Sequence, residues 1–160
     1  MQNKAQLIKQ FNQAREGVRT LLPDIDVHMQ IYPEWTIKEV LAHLAGWDDA
    51  TIMALRAFVA HDPPAVPAIK GIDPYNSQTV AERAELGYEQ IVSEWELIRE
   101  QLIKVLENLP DEKLPATIVS PWGPSMTVTD LINIMIEHEE EHAEVIKTRL
   151  ANPHKRPQSH

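Results

Sequence analysis

Four long stretches of this chain repeat apolar residues at three- and four-residue steps, and that periodicity constrains the fold more than any other feature. In residues 3–22 the stripe is Leu7, Ile8, Phe11, Ala14, Val18, Leu21 and Leu22. In residues 36–60 it is Ile37, Val40, Leu41, Leu44, Leu55 and Val59. Residues 77–109 carry Ile91, Trp95, Ile98, Leu102, Val105, Leu106 and Leu109, with Gly87 placed to break the stretch into a short and a long piece. Residues 127–150 carry Val128, Leu131, Ile132, Met135 and Ile146. Pro23, His61-Asp62-Pro63-Pro64 and Pro110-Asp111 stop the first three, because proline lacks the amide a helix needs and clashes with the preceding turn. Thr36 with Glu39, and Thr127 with Asp130, have the spacing of capping boxes. Four amphipathic helices with two substantial crossovers predict an all-α four-helix bundle with long crossover loops.

The intervening segments read as connections. Residues 24–35 form a connector, and residues 62–74 a proline-rich loop folded over the bundle. Thr117-Ile118-Val119 has strand character and precedes a Pro121-Trp122-Gly123-Pro124 turn. One domain over residues 1–151 is expected, followed by a loose, polar tail at 152–160. A length of 160 residues is enough for one real core. The absence of cysteine excludes disulfides, thiolate ligands and a cysteine nucleophile, and fits a reducing cytoplasm. A formal charge of −9 argues against a nucleic-acid partner for the domain as a whole. With no signal-peptide core and no apolar run near the roughly 20 residues that span a bilayer, a cytoplasmic protein without a membrane partner is expected.

The chemistry gathers in the fourth stretch, at His138-Glu139-Glu140-Glu141-His142. Two histidines four residues apart project from one helix face, one turn apart, and can reach one metal ion. On a helical wheel His142 falls within the apolar stripe and His138 on its shoulder. Glu139 also falls inside, whereas Glu137, Glu140 and Glu141 face water. In the second stretch His43 lies beside the stripe on the side of Val40 and Trp47, and Asp48 sits near its centre. The bland reading of a lone histidine on a helix shoulder is a hydrogen-bonded core or surface residue. A pair at this spacing on a partly apolar face is a stronger metal signal. His28, His61, His154 and His160 sit in loops or the tail and receive no role, and Trp95 reads as core. The pentad also matches H-E-x-x-H, the zinc-protease pattern with Glu139 as base. The longer form of that motif needs Gly and His where this chain has Val145 and Thr148, so the protease reading is set aside.

The segment Trp35-Thr36-Ile37-Lys38-Glu39-Val40-Leu41-Ala42-His43-Leu44-Ala45-Gly46-Trp47-Asp48, with the later His138 to Ile146 run, resembles the DinB/YfiT-like superfamily. Asn76 with Val80-Ala81-Glu82-Arg83, and the Pro121-Trp122-Gly123 turn, resemble its ClbS/DfsB-like branch. The resemblance covers about residues 4–150. It implies an up-down-down-up four-helix bundle, often a homodimer. It also implies a divalent metal, commonly zinc or nickel, held by His43, His138 and His142. The chemistries it brings are thiol-dependent transfer and isomerisation and, in the ClbS branch, protection against a cyclopropane-bearing genotoxin.

Three imidazoles leave a coordination position open, the pattern of catalytic rather than structural zinc. The first hypothesis is therefore a metal-dependent transferase or hydrolase that activates a thiol or water against a small-molecule electrophile, with a low-molecular-weight thiol as partner. Glu139 or Asp48 would be the general base or the group that orients a ligand, and Trp47 and Trp122 the walls of the substrate pocket. The second is a non-catalytic protein that sequesters a small hydrophobic molecule or toxin. The third is a helical interaction module with structural histidines.

Overall fold

The structure, a computed structural model, describes residues 2–159. Met1, at the start of the expected domain, and His160, at the end of the expected tail, lie outside the described residues. Five helices and two small hairpins make up the fold, in the order α1 (Lys4–Arg19), β1 (Gln30–Tyr32), β2 (Trp35–Thr36), α2 (Ile37–Ala60), α3 (Ile72–Glu82), α4 (Tyr88–Asn108), β3 (Thr117–Val119), β4 (Ser125–Thr127) and α5 (Val128–Ala151). The helices begin where the capping chemistry lies. Asn3 and Gln6 form a reciprocal capping box at α1. The Glu39 carboxylate accepts from the Thr36 backbone N–H at 3.0 Å, as the spacing of the two residues predicts. At α5 the Thr127 hydroxyl accepts from Asp130 N–H at 3.0 Å, and the charge of Asp130 in the first turn complements the helix dipole. His61 ends α2 in a left-handed conformation (φ 58°), and its N–H and that of Asp62 bond back to Phe58 O and Ala57 O before the prolines begin.

Two differences from the sequence expectation have clear causes. The first concerns the third stretch, which divides at Gly87 as expected into two helices, α3 and α4, with the Gly87 backbone N–H donating to the Gln90 side chain at 2.7 Å. The first of them starts earlier than the apolar pattern predicts. Pro74 falls in its first turn, where the missing N–H is no loss. Its buried face is Tyr75, Asn76 and Thr79, so there is no apolar stripe to read. The second difference is in the connector 24–35, which folds into the β1–β2 hairpin. The β3–β4 hairpin pairs Thr117 with Thr127, Ile118 with Met126 and Val119 with Ser125, and Gly123 takes the positive φ its turn requires.

In the bundle α1 packs on α5 and α2 on α4. Phe11, Leu41, Leu55, Ile91, Trp95, Leu102 and Leu131 are fully buried between them. The shorter α3 lies against α2 at Gly46, where a Cβ would come within 2.0 Å of Thr79 Oγ1. That glycine, which weakens a helix interior on propensity alone, is what lets α3 approach. Tyr75 Oη then donates to Gly46 O at 2.7 Å. Among the described residues no helix is long and apolar enough to cross a membrane.

Candidate metal centre

His43 comes from the second turn of α2, and His138 and His142 from successive turns of α5. Their Nε2 atoms form a near-equilateral triangle: 2.9 Å between His43 and His138, 3.1 Å between His43 and His142, and 2.9 Å between His138 and His142. His43 and His142 are buried and His138 is half-buried. Three imidazole lone pairs cannot all be turned on one another without a proton or a cation between them. A tetrahedral zinc about 2.0–2.1 Å from each nitrogen spaces its ligands by about 3.3–3.4 Å, so a small outward relaxation suits the triangle to one ion. The donor set, three nitrogens with no thiolate, fits zinc or nickel.

The β1–β2 hairpin finishes the site. Tyr32 Oη lies 2.6 Å from His142 Nδ1, and its ring meets the His142 ring edge-on at 5.5 Å. The Trp35 ring lies against His43 at 4.9 Å. Burial, with the nearby Glu141 charge, pushes the Tyr32 phenol above its ordinary range, so it stays protonated. A histidine that binds a metal through Nε2 carries its proton on Nδ1, and the partner of that N–H fixes the tautomer and the ring orientation. Tyr32 Oη is that partner for His142. The hairpin is tied to α5 by Arg149 Nε, which donates to Gln30 O at 2.8 Å.

Glu139 and Asp48 are both buried, as their place in the apolar stripes predicts, but they face a second cluster. Arg15 Nε donates to Glu139 Oε1 at 2.5 Å, and Arg99 Nη2 bonds Glu139 Oε2. Asp48 accepts from Arg15 Nη2 at 3.0 Å and from Arg99 Nε and Nη2 at 3.0 and 3.1 Å. The guanidiniums also stack, Arg15 over Trp95 at 3.9 Å and Arg99 over Phe11 at 3.7 Å. Burial by itself would raise the Glu139 carboxyl, but the Arg99 and Arg15 charges outweigh it and hold the group below the usual carboxylate range. A carboxylate held in this way is a poor proton acceptor. Neither residue lines a cavity beside the histidines. The geometry thus favours Glu139 and Asp48 as clamps between helices rather than as the general base.

Two cavities flank the histidines. The larger, about 870 Å³, lies between Tyr32, the outer face of α5 and the C-terminal segment. That segment is held by Arg149 Nη1, which donates to Lys155 O at 2.6 Å. The smaller, about 410 Å³, lies between α2, α3, the β3–β4 turn and α5, and reaches His43 and His138. Trp47 and Trp122 both line it, their rings edge-to-face at 5.9 Å. Of the exposed α5 carboxylates, Glu137 and Glu141 stand at its edge beside His138.

The sequence reading missed Tyr32, Trp35, Arg15, Arg99 and Asn76. For the arginines a signal was present. Arg15 lies one turn from Phe11 on the apolar face of its helix, and Arg99 one residue from Ile98. Two cations and two carboxylates misplaced on four apolar faces are the pattern of a buried ion-pair cluster, because unpaired charges there would be too costly. Nothing in the sequence pairs Tyr32 with His142.

The profile of the DinB superfamily matches residues 10–146. No curated protein sequence matches the chain significantly. Among solved structures, DfsB, described as a sibling lethal factor precursor, superposes with a TM-score of 0.81 at 17% identity over 97% of this chain and 99% of its own. The colibactin self-resistance protein ClbS, solved in complex with double-stranded DNA, gives 0.78 at 13% identity over 93% and 96%. The mycothiol-dependent maleylpyruvate isomerase gives 0.70 at 14% identity over 91% of this chain and 63% of that one. Such identities establish a common fold and nothing finer. The profile match, spanning most of the chain and all three histidines, makes this protein a member of the DinB superfamily.

Proposed function

We propose that the protein is a metal-dependent transferase or hydrolase that directs a low-molecular-weight thiol or water at a small electrophile, in detoxification or a stress response. The observation that carries this reading is the convergence of the His43, His138 and His142 Nε2 atoms to within 3.1 Å of one another at the edge of two cavities. These three residues would hold the ion, zinc or nickel. A divalent ion with three imidazole ligands lowers the pKa of a bound water or thiol towards neutrality. The chain's own residues supply the rest. Tyr32 orients His142, the α2–α5 packing sets the spacing of the triangle, and Trp47 and Trp122 wall the smaller cavity against water. Two proteins of similar fold lend support to this reading: a maleylpyruvate isomerase that depends on mycothiol and a colibactin self-resistance protein.

The second reading is sequestration of a small hydrophobic molecule, and the aromatic cavity favours it specifically. Turnover separates the two. Metal-loaded protein is incubated with a panel of electrophiles, with and without low-molecular-weight thiols. Multiple turnovers that disappear in His43→Ala are expected of the enzyme. Stoichiometric binding without product would move the assignment to sequestration. Purified protein without a stoichiometric divalent ion, and unable to take one up, would remove the metal from both.

A further inference from the structure

The smaller cavity holds a polar group that the bundle does not use. Asn76, on α3, is 7% exposed and lines the cavity. Its Oδ1 accepts from Trp47 Nε1 at 2.7 Å. An indole N–H can only donate, so the amide is fixed with its oxygen on Trp47 and its NH2 turned away. Among the described residues that NH2 meets no acceptor. It is also not a sealed, orphaned atom, so it opens on the cavity. Open to the cavity, the donor can bond water there or a ligand acceptor that replaces it. The position is deliberately built: Gly46 admits α3, and Tyr75 Oη anchors it to Gly46 O.

Around this donor the cavity's apolar lining is Trp47 and Trp122, whose rings meet edge-to-face, with Ile72, Ile134 and Met135. Its charged groups are of one sign. Asp73, Glu137 and Glu141 line it, and no lysine or arginine does. Without a metal on His43 and His138, a ligand carboxylate or phosphate would meet three like charges and, among the described lining residues, no lysine or arginine.

We infer that the cavity between Trp47, Trp122 and Asn76 binds a flat, apolar small molecule through a carbonyl oxygen that accepts from the Asn76 side-chain NH2, and that in the metal-free protein it discriminates against carboxylate-bearing ligands. This rests on the reading of that cavity as the substrate pocket, and gives the electrophile a chemical class. The substrate is a carbonyl compound with an aromatic or similarly planar body. A volume of about 410 Å³ admits a two-ring body with a short substituent.

The test uses the whole chain, stripped of metal with chelator, and the matched probes 2-naphthamide and 2-naphthoate. Binding is followed by the ¹H–¹⁵N resonance of the Trp47 indole and by calorimetry. At low salt 2-naphthamide is expected to bind at least tenfold more tightly than 2-naphthoate and to shift the Trp47 indole resonance. The gap narrows at high salt, because exposed carboxylates are screened. Asn76→Asp keeps the acceptor for Trp47 Nε1 and removes the donor, and is expected to weaken 2-naphthamide at least tenfold. If that variant unfolds, Trp47→Phe in folded protein serves instead: it frees Asn76 Oδ1 and its orientation, and the amide's advantage over the acid shrinks. Equal or tighter binding of 2-naphthoate, or 2-naphthamide affinity indifferent to Asn76→Asp, overturns the proposal. Because metal is absent throughout, either result leaves the three-histidine assignment to stand or fall on metal content alone.

Discussion

Two buried polar clusters share the same two helices, and their contrast explains most of what the molecule is built to do. His43 and Asp48 lie five residues apart on α2, and His138, Glu139 and His142 lie within five residues on α5. One set, with Arg15 and Arg99, closes on itself: two carboxylates and two guanidiniums, each acid bonded to both arginines. The other set brings together three imidazole rings whose Nε2 atoms converge on one point, beside two cavities. The first has satisfied its charges internally and joins α1, α2, α4 and α5. The second could hold a metal ion and stands beside cavities of small-molecule size. Burial alone does not distinguish a functional polar group from a structural one. What distinguishes them here is the donor set: opposite charges that neutralise one another in one cluster, and three convergent imidazole nitrogens beside cavities in the other.

The contrast can be broken most sharply at Glu139. Glu139→Leu leaves Arg15 and Arg99 short of a counter-charge in the core and should cost roughly 3–5 kcal/mol of stability, read by urea denaturation of the metal-free protein. A loss below about 1 kcal/mol would remove the clamp role. His142→Ala should behave oppositely. Added zinc at about 100 times its dissociation constant is expected to stabilise the wild type by roughly 2.7 kcal/mol and to leave the variant's melting temperature unmoved. Equal stabilisation of both proteins would show that the ion binds elsewhere. Tyr32→Phe removes the acceptor for His142 Nδ1–H and should weaken metal affinity roughly 10–100-fold, measured by competition with a chromophoric chelator. An unchanged affinity would reduce Tyr32 to packing. Gly46→Ala sets a methyl against Thr79 and should cost about 1–3 kcal/mol, with the Trp47 indole resonance moving as α3 is displaced. The smallest effect concerns pH. Burial first, and then the Asp49 charge, push the Tyr75 phenol up to about 12 from its ordinary 10. Its contribution to stability is therefore complete below pH 10 and is lost as pH rises from 10 through about 12. The wild-type stability curve should converge on that of Tyr75→Phe over this interval. Parallel curves would mean that Tyr75 does not sense its burial.

The helices were legible wherever one face is apolar. α1, α2, α4 and α5 all announce themselves by stripes and caps, and the wheel also located Glu139, alone among its neighbouring glutamates, as buried. α3 was legible only in part, because its buried face is polar and its first turn holds a proline. The β1–β2 hairpin left no signal, since a strand of three residues has too short an alternation to read. The carboxylates show the limit of the wheel. It placed Asp48 and Glu139 inside the bundle, but could not say whether they would meet a metal or an arginine.

The sequence by itself determined the helical class, the boundaries set by its prolines and caps, and the candidacy of the His138 and His142 pair, because those depend on periodicity and on spacing along one helix; His43, on another helix, joined them through the resemblance to the DinB/YfiT-like superfamily. Only the tertiary structure decided that the three rings converge, that Tyr32 from a distant hairpin holds one of them, and that Glu139 faces Arg15 and Arg99 rather than the histidines. Residues one position apart on a helix point about 100° apart, so neighbours in sequence such as His138 and Glu139 are assigned to different clusters by whatever packs on each side.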